Sequence, residues 1–529
     1  MKLKTATLLL TLPLITPAAF GQFTGDYDDS FGSGGNLWYV NEGYQSEITK
    51  LVLDENSESF YFSGSFKSDE DKFDASIVKA TMDGELDDVL PEGTIQYDPF
   101  IELGGLDEQF QSVAIQSNGK MVAVGYVILE PGNSDLMVAR FNTDGSFDNT
   151  FNDGSPFLSM EPGLDFATDV VIQEDGKIVV IGSYQASPTD LDLFFIRLNS
   201  DGTTDGTFGM GGIQLLDTYS GIEQIESVTI LENGNIAAIG HAGDDCLIVQ
   251  LDSEGNFDSE FSIEGYLNFK VNSLPTQGNK IIELDDNHLL ISGNTLNEED
   301  GDVGFVIKLE ADGNFVADFD GIDGTLYLTM EEEMGTDTSF SLTDMEVFEN
   351  GQILLVGDYK TATEDIALIL VNEDGVIDTD FGTEGMRVYN MSGGELPNSN
   401  SQIEIASNGR VYLSAKVVNG SFQDIVTRRL FANYASLFEA NTAPEMTFNL
   451  YPNPSAAVLQ MSLNNTSAQR VTIQIIDLSG RVLYAQDHEL SAGNQTISLT
   501  SAIANLPAGS YQVVAMTENG LVNNAFIKQ

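Results

Sequence analysis

Seven recurrences of one four-strand phrase, a half-phrase missing at one end of the chain and present at the other, and a change of pattern near residue 440 predict an all-β protein. The expected architecture is a seven-bladed β-propeller of about 58-residue four-stranded repeats, followed by a small Ig-like β-sandwich. The expected boundaries are a signal peptide at 1–21, the propeller at 22–438, a linker at 439–446 and the sandwich at 447–529.

The phrase is clearest in SVAIQSNGKMVAVGY from Ser112 and DVVIQEDGKIVVIGS from Asp169. Two apolar runs are joined by Asn-Gly or Asp-Gly, a third run follows, and a second turn carries another Asp-Gly. The first turns fall at Asn56, Asn118, Asp175, Asn233, Asp286, Asn350 and Asn408. Asn-Gly between alternating runs is a strong hairpin signal, because both residues tolerate the positive φ of a tight primed turn. After the second turn come an Asp, then a Phe, then glycines and a short apolar run. The Phe recurs as Phe31, Phe151, Phe208, Phe261, Phe319 and Phe381, with Leu90 in the first repeat. Four short strands per repeat suit a propeller blade, and period-2 alternation excludes helical solenoids.

The seventh repeat stops after IVTRRLFANYASLF, without its Asp-x-x-Phe-Gly phrase and fourth strand. Those pieces stand at the other end, in TGDYDDSFGSGGNLWYV, so the ends are complementary as a closed ring requires. Two phases fit: the N-terminal strand completes the last blade, or residues 24–83 form a whole blade. The dozen residues from the second turn to the fourth run favour the second phase, since a hairpin needs fewer and a crossing between blades needs about that many.

Lys79, Arg140, Arg197, Lys308 and Arg429 stand four residues before the second turn, in a chain with only 22 Lys and Arg. Asp28, Asp87, Asp148, Asp205, Asp258 and Asp378 stand four after it. Equal offsets on either side of a turn predict a repeated structural ion pair bracing it.

The repeats resemble the delta-60 repeat proteins, most strongly at QEDGKIVVIG and RLNSDGTTDGTFGMGG, over roughly residues 24–433. Leu90 for Phe, and Val316 for Asp in the fifth repeat, depart from that pattern. The resemblance implies a propeller and brings no activity with it.

Beyond Phe438 the pattern changes. NLYPNPSAAVLQMSL, QRVTIQIIDLSGRVLYAQ and GSYQVVAMTENGLVNNAFIKQ alternate as strands of a sandwich. Tyr451, Pro452, Asn453 and Pro454, Gly480 within DLSGRVL, Gly509 and Tyr511 within LPAGSYQVV, and the terminal Lys528 resemble the type A C-terminal sorting domain of type IX secretion. That resemblance implies a translocon and a sortase-like peptidase as partners, and a secreted chain displayed on a Gram-negative outer membrane or released to the medium.

The opening MKLKTATLLLTLPLITPAAFGQ reads as a signal peptide, with two lysines before a short apolar core and expected cleavage between Gly21 and Gln22. The formal charge is −60, and nearly all of it lies outside the C-terminal segment, which nets −1. Repulsion makes nucleic acid and anionic membranes poor partners. Such a surface suits loose capture of calcium, and no tight cofactor or metal site is expected. DFDGIDGT from Asp318 misses EF-hand spacing, because Ile322 stands where an oxygen ligand belongs, and NEEDGDVG from Asn297 lies in a variable loop.

His241, His288 and His488 are scattered without ligand spacing, and no Gly-x-Ser-x-Gly elbow occurs. Cys246 is expected in the core. The expected function is a monomeric, non-catalytic binding or structural scaffold with a glycan or protein ligand. A polymer-acting enzyme using channel carboxylates is the rival. Acids recurring in every repeat would favour the scaffold, and a cluster confined to one place would favour the enzyme.

Overall fold

A computed structural model describes residues 25–430 and 446–528, apart from short stretches within both ranges, the longest being 99–106 and 329–338. Gly21, Gln22, Gly480 and linker positions 439–445 lie outside the described residues, as do positions 298–300 and 322–323 of the two acidic strings, and Met446, expected in the linker, begins a strand. No described helix is long and apolar enough to cross a membrane. The chain divides into two compact units, Gly25–Phe431 and Ala432–Gln529.

In the first unit each of the first six repeats makes a four-stranded antiparallel sheet with its strands paired in sequence order, and the seventh contributes three strands to a sheet that the N-terminal strand completes. The sheets of the fifth and sixth repeats are joined by one parallel bridge, Val303 to Phe340. The inner strands are Ser46–Asp54, Asp107–Ile115, Asp165–Ile172, Glu223–Ile230, Thr276–Glu283, Ser339–Val347 and Asn398–Ile405. Each touches the next, and the last touches the first, so the sheets form a closed ring. Apolar side chains pack between neighbouring sheets, as where Val179, Ile181 and Phe195 of the third meet Ile225, Val228 and Leu247 of the fourth. That alternation buries one side chain in two against each neighbour, which is why the runs are β-branched and period-2.

The hairpin turns differ from expectation. Only the third turn residue takes positive φ, at +79° in Gly119, +83° in Gly176, +51° in Glu58 and +62° in Asn287, while the residue before it does not. Gly119 N–H donates to the Gln116 carbonyl at 2.7 Å and Gln116 N–H to the Lys120 carbonyl at 2.8 Å, a three-residue turn with a glycine bulge in place of a two-residue primed turn. The Asn earns its place through its side chain, as Asn118 Oδ1 accepts from Lys120 N–H at 3.0 Å.

The phase of the ring is also corrected. Leu37–Tyr39 pairs antiparallel with Phe422–Leu430, so the N-terminal strand is the outermost strand of the last sheet, and residues 24–83 are not one blade. The long phrase before each fourth strand is no crossing. It folds back on its own sheet and spends its length on the joint to the next one.

The second unit pairs Met446–Tyr451, Gln460–Asn465 and Gly493–Ser498 in one sheet, and Val482–Leu490, Gln469–Asp477, Gly509–Thr517 and Gly520–Lys528 in another. Leu459, Met461, Ile473, Ile475, Val513 and Phe526 fill the space between them.

Candidate functional site

The joints between sheets are built from the recurring residues. The Phe of one repeat lies on the second-turn glycine of the next: a Cβ on Gly255 would stand 2.6 Å from the Phe208 ring, at φ +83°. The residue after the Phe donates its N–H across the joint, as Gly209 does to the Glu254 carbonyl at 2.8 Å. The cations cluster there too. Arg197 Nε lies 2.8 Å from Asp205, its guanidinium stands 4.7 Å from the centre of the Phe208 ring, and Nη1 donates to the Ser253 carbonyl of the next repeat.

Lys79 meets Asp87 at 2.9 Å, Arg140 meets Asp148 at 2.8 Å and Arg429 meets Asp28 at 2.7 Å. The last pair joins the two ends of the ring with both side chains all but fully covered. Elsewhere the pattern changes. Gln250 serves Asp258 with a neutral hydrogen bond of 2.8 Å, and Lys308 turns to Asp286 at 3.0 Å, because Val316 stands where its partner would be. Asp378 faces Leu370 in the sixth repeat, so no cation stands at that repeat position. Despite burial, the arginine and neighbouring hydroxyls hold Asp28 and Asp205 below the usual carboxylate range.

The centre of the ring is different. Every inner strand carries a bulge at the same place, between Ile48 and Lys50 in the first repeat and between Leu342 and Asp344 in the sixth. The residue just past the bulge points into the channel: Lys50, Ser112, Asp169, Ser227, Lys280, Asp344 and Gln402 in turn. A cavity of about 600 Å³ lies on one side, lined by all seven inner strands. A smaller one of about 220 Å³ shares Lys50, Asp169, Ser227 and Lys280 with it and adds Glu226 and His241.

Two carboxylates hold this waist together. Asp169 accepts from Ser112 Oγ at 2.7 Å and from Val228 N–H at 3.1 Å, and Asp344 accepts from Ile403 N–H at 3.1 Å. Lys50 lies 3.5 Å from Asp169, and Lys280 lies 3.0 Å from Asp344 and 2.9 Å from Glu346. Burial would strip Lys280 of its proton, but the facing acids outweigh it and hold the ammonium well above the lysine range. Glu346 pairs with Lys280, and both Glu346 and Glu404 feel the charges of Lys280 and Lys50. Burial within the ring pushes both above the ordinary carboxylate range, with Asp344 adding to Glu346 and with Glu346 and Asp344 adding to Glu404. Channel water reaches these groups, with Glu346 22% exposed, yet protein walls them on every side. Glu226 opens to the smaller cavity and is pushed up to about 7 by the same enclosure, with Asp169 adding to it.

The channel acids do not recur: Glu346 and Glu404 correspond to Val52, Ala114, Val171, Thr229 and Ile282 in the other repeats. Sequence reading missed this cluster. Its only signal was a glutamate in the first apolar run, in TDMEV and SQIEI, where other repeats carry an uncharged residue, as in SVAI. Of the remaining candidates, Cys246 is fully buried and burial raises its thiol. His241 is buried at the channel wall, and burial lowers its imidazole.

In the sandwich the sorting residues converge on one edge. Asn453 Oδ1 accepts from Ile527 N–H at 2.9 Å, and Ser455 N–H donates to the Ile527 carbonyl at 2.8 Å, beside Lys528. The Tyr451-Pro452 and Asn453-Pro454 peptides are cis, and Tyr451 and Ile527 are exposed. Tyr511 donates to the Pro507 carbonyl at 2.9 Å and is otherwise in the core, beside Gly509 on the same strand.

Residues 449–529 match the family model of the secretion system C-terminal sorting domain. Residues 116–151 and 173–208 match a β-propeller domain of unknown function, DUF5122. No curated protein matches. Among solved structures, a protein of unknown function from Dyadobacter fermentans is 14% identical, with 75% of this chain and 98% of that one covered at a TM-score of 0.39. An endo-1,4-β-xylanase from Bacteroides thetaiotaomicron is 10% identical, with 61% and 94% covered at 0.27. The WD40 domain of SCAP from fission yeast is 9% identical, with 93% and 98% covered at 0.32. The chain therefore carries β-propeller repeats and a type IX C-terminal sorting domain, and that domain indicates handling by the type IX machinery and export to the cell surface or the medium.

Proposed function

We propose that this exported chain is a monomeric, non-catalytic binding scaffold whose channel takes a neutral, hydroxyl-rich ligand such as a stretch of extracellular glycan. The observation that carries the reading is the mixed polar lining of the channel. Lys50, Lys280, Gln111, Gln277 and Asn279 line the channel beside carboxylates, a mixture of donors and acceptors suited to sugar hydroxyls. Excess acid there disfavours anionic polymers. A sortase-like peptidase would remove the sandwich within the linker after translocation. A glycan and protein array probed with the full mature chain tests the reading. The expected result is retention of a neutral glycan, lost in Lys280→Met. Equal retention by both would overturn the channel as the binding site.

A second reading, a polymer-acting enzyme, is favoured by the confinement of the channel acids to two repeats, as well as by their protonation. Glu346 and Glu404, on neighbouring repeats, are both raised beside Lys280, and a carboxyl still protonated near neutral pH is what a glycosidic general acid needs. Release of reducing ends from a bound polysaccharide, abolished by Glu404→Gln with binding retained, would replace the scaffold by an enzyme.

A further inference from the structure

The geometry points to a calcium site at the joint between the third and fourth repeats, held by Asp192, Asp217 and Glu223. One oxygen of each carboxylate lies within 4.8 Å of one from each of the others. Asp192 stands two residues into the third strand of its sheet, Asp190–Leu198, Asp217 follows the fourth strand, and Glu223 opens the inner strand of the next sheet. The backbone therefore brings them together from three elements of two repeats.

Two of the three are deeply buried and only half satisfied. Glu223 is 0% exposed and Asp192 6%. Glu223 Oε1 accepts from Thr218 N–H at 2.7 Å and from its hydroxyl at 2.5 Å, and Asp192 Oδ2 accepts from Tyr184 at 3.2 Å. Glu223 Oε2 and Asp192 Oδ1 have no hydrogen-bond partner among the described residues, and neither has Oδ1 of the neighbouring Asp190. Buried carboxylate oxygens are ordinarily paired, because leaving them dry and unpaired is costly. The charges of Asp217 and Asp190, added to burial, raise Asp192, and burial raises Glu223 with Asp192 and Asp217 adding to it.

The equivalent positions of other repeats show what this joint lacks. In the fourth repeat the Asp217 position is Lys270, which lies 3.5 Å from Asp245, the equivalent of Asp192. In the sixth it is Asn390, whose amide donates to Asp365 at 3.2 Å. In the first the three acids recur as Asp74, Asp98 and Glu108, where burial and the facing acids push Glu108 up to about 9 against a weaker pull from Lys72. The fourth and sixth repeats place a donor in this arrangement, and at the third joint it is three carboxylates whose oxygens lie within 4.8 Å of one another. A hard cation bound by oxygen alone replaces that donor. Calcium suits such a site better than magnesium, because it takes about six to eight oxygens in flexible geometry, carboxylates and carbonyls among them, whereas magnesium demands a near-ideal octahedron and keeps most of its waters.

The test is calcium titration of the chelator-treated full chain at constant ionic strength, followed by melting temperature and by terbium emission excited through tyrosine, with Tyr184 as the adjacent antenna. Wild type should melt higher in micromolar calcium, and calcium should displace terbium. Asp217→Asn, which alters an exposed side chain, should weaken calcium binding about tenfold or more and raise the melting temperature of the metal-free chain. Glu223→Gln should act alike, and Glu174→Gln, an exposed acid elsewhere, should respond as wild type. Tyr184→Phe should lose terbium emission and keep the calcium response. No calcium response in wild type, or an undiminished one in Asp217→Asn, would overturn the site and leave only diffuse attraction to an acidic surface.

Discussion

The joints and the channel of the ring are made from the same strands, yet they obey opposite rules. At the joints one solution recurs: Phe on glycine, and in four repeats a cation on Asp with both partners covered. In the channel the backbone recurs, bulge for bulge, and the side chains do not. In those four repeats the joint cation is matched by an acid, whereas in the channel Asp344, Glu346 and Glu404 crowd Lys280. Where a repeat is kept, it holds the ring, and where it is broken, something other than stability has shaped it.

The most damaging way to break the comparison is to open the ring. Deleting residues 25–39 removes the outer strand of the last sheet, Phe31, and the Asp28 partner of Arg429. Cooperative melting should be lost, and a melt like that of the intact chain would refute closure through this strand. Arg429→Met is the next largest. It leaves Asp28 buried without its cation, and breaking such a pair costs about 3–5 kcal/mol, read from denaturant unfolding. Loss of well under 1 kcal/mol would class the pair with exposed surface bridges. Smaller again is Gly255→Ala, which forces a side chain into positive φ against the Phe208 ring and should cost about 2 kcal/mol. The same change at Gly34, whose added Cβ meets nothing within 4 Å, should cost only the backbone term.

Much of this was legible before any coordinates. Hairpin spacing gave the sheets, complementary ends gave closure, and equal offsets gave the Arg–Asp pairs, because local turn chemistry and a repeated register dictate all three. The phase of the ring was misread, since the length of the phrase before the fourth strand was assigned to a crossing when Phe208 and its equivalents use it to reach the next sheet. The channel cluster was hidden for a different reason. Glu346 and Glu404 are 58 residues apart in a chain with 82 acids, and only closure of the ring sets them around one lysine. The acids at 192, 217 and 223 were equally silent until three strands met.

The central claim is that the channel departs from the repeat at a cost in stability, and pH tests it most directly. The joint aspartates are lowered, so their contribution is present above the ordinary carboxylate range and lost only as pH falls through their depressed values. Glu404 is raised, so its protonated form favours folding below about pH 4.5, the ordinary glutamate value, and that contribution is lost as pH rises through its elevated one. Melting temperature should therefore be followed from about pH 5 to about pH 9 at constant ionic strength, for wild type and Glu404→Gln. The account predicts a decline in wild type that is visibly shallower in the variant, with the variant the more stable of the two at the alkaline end. Parallel curves, or a variant less stable throughout, would contradict it.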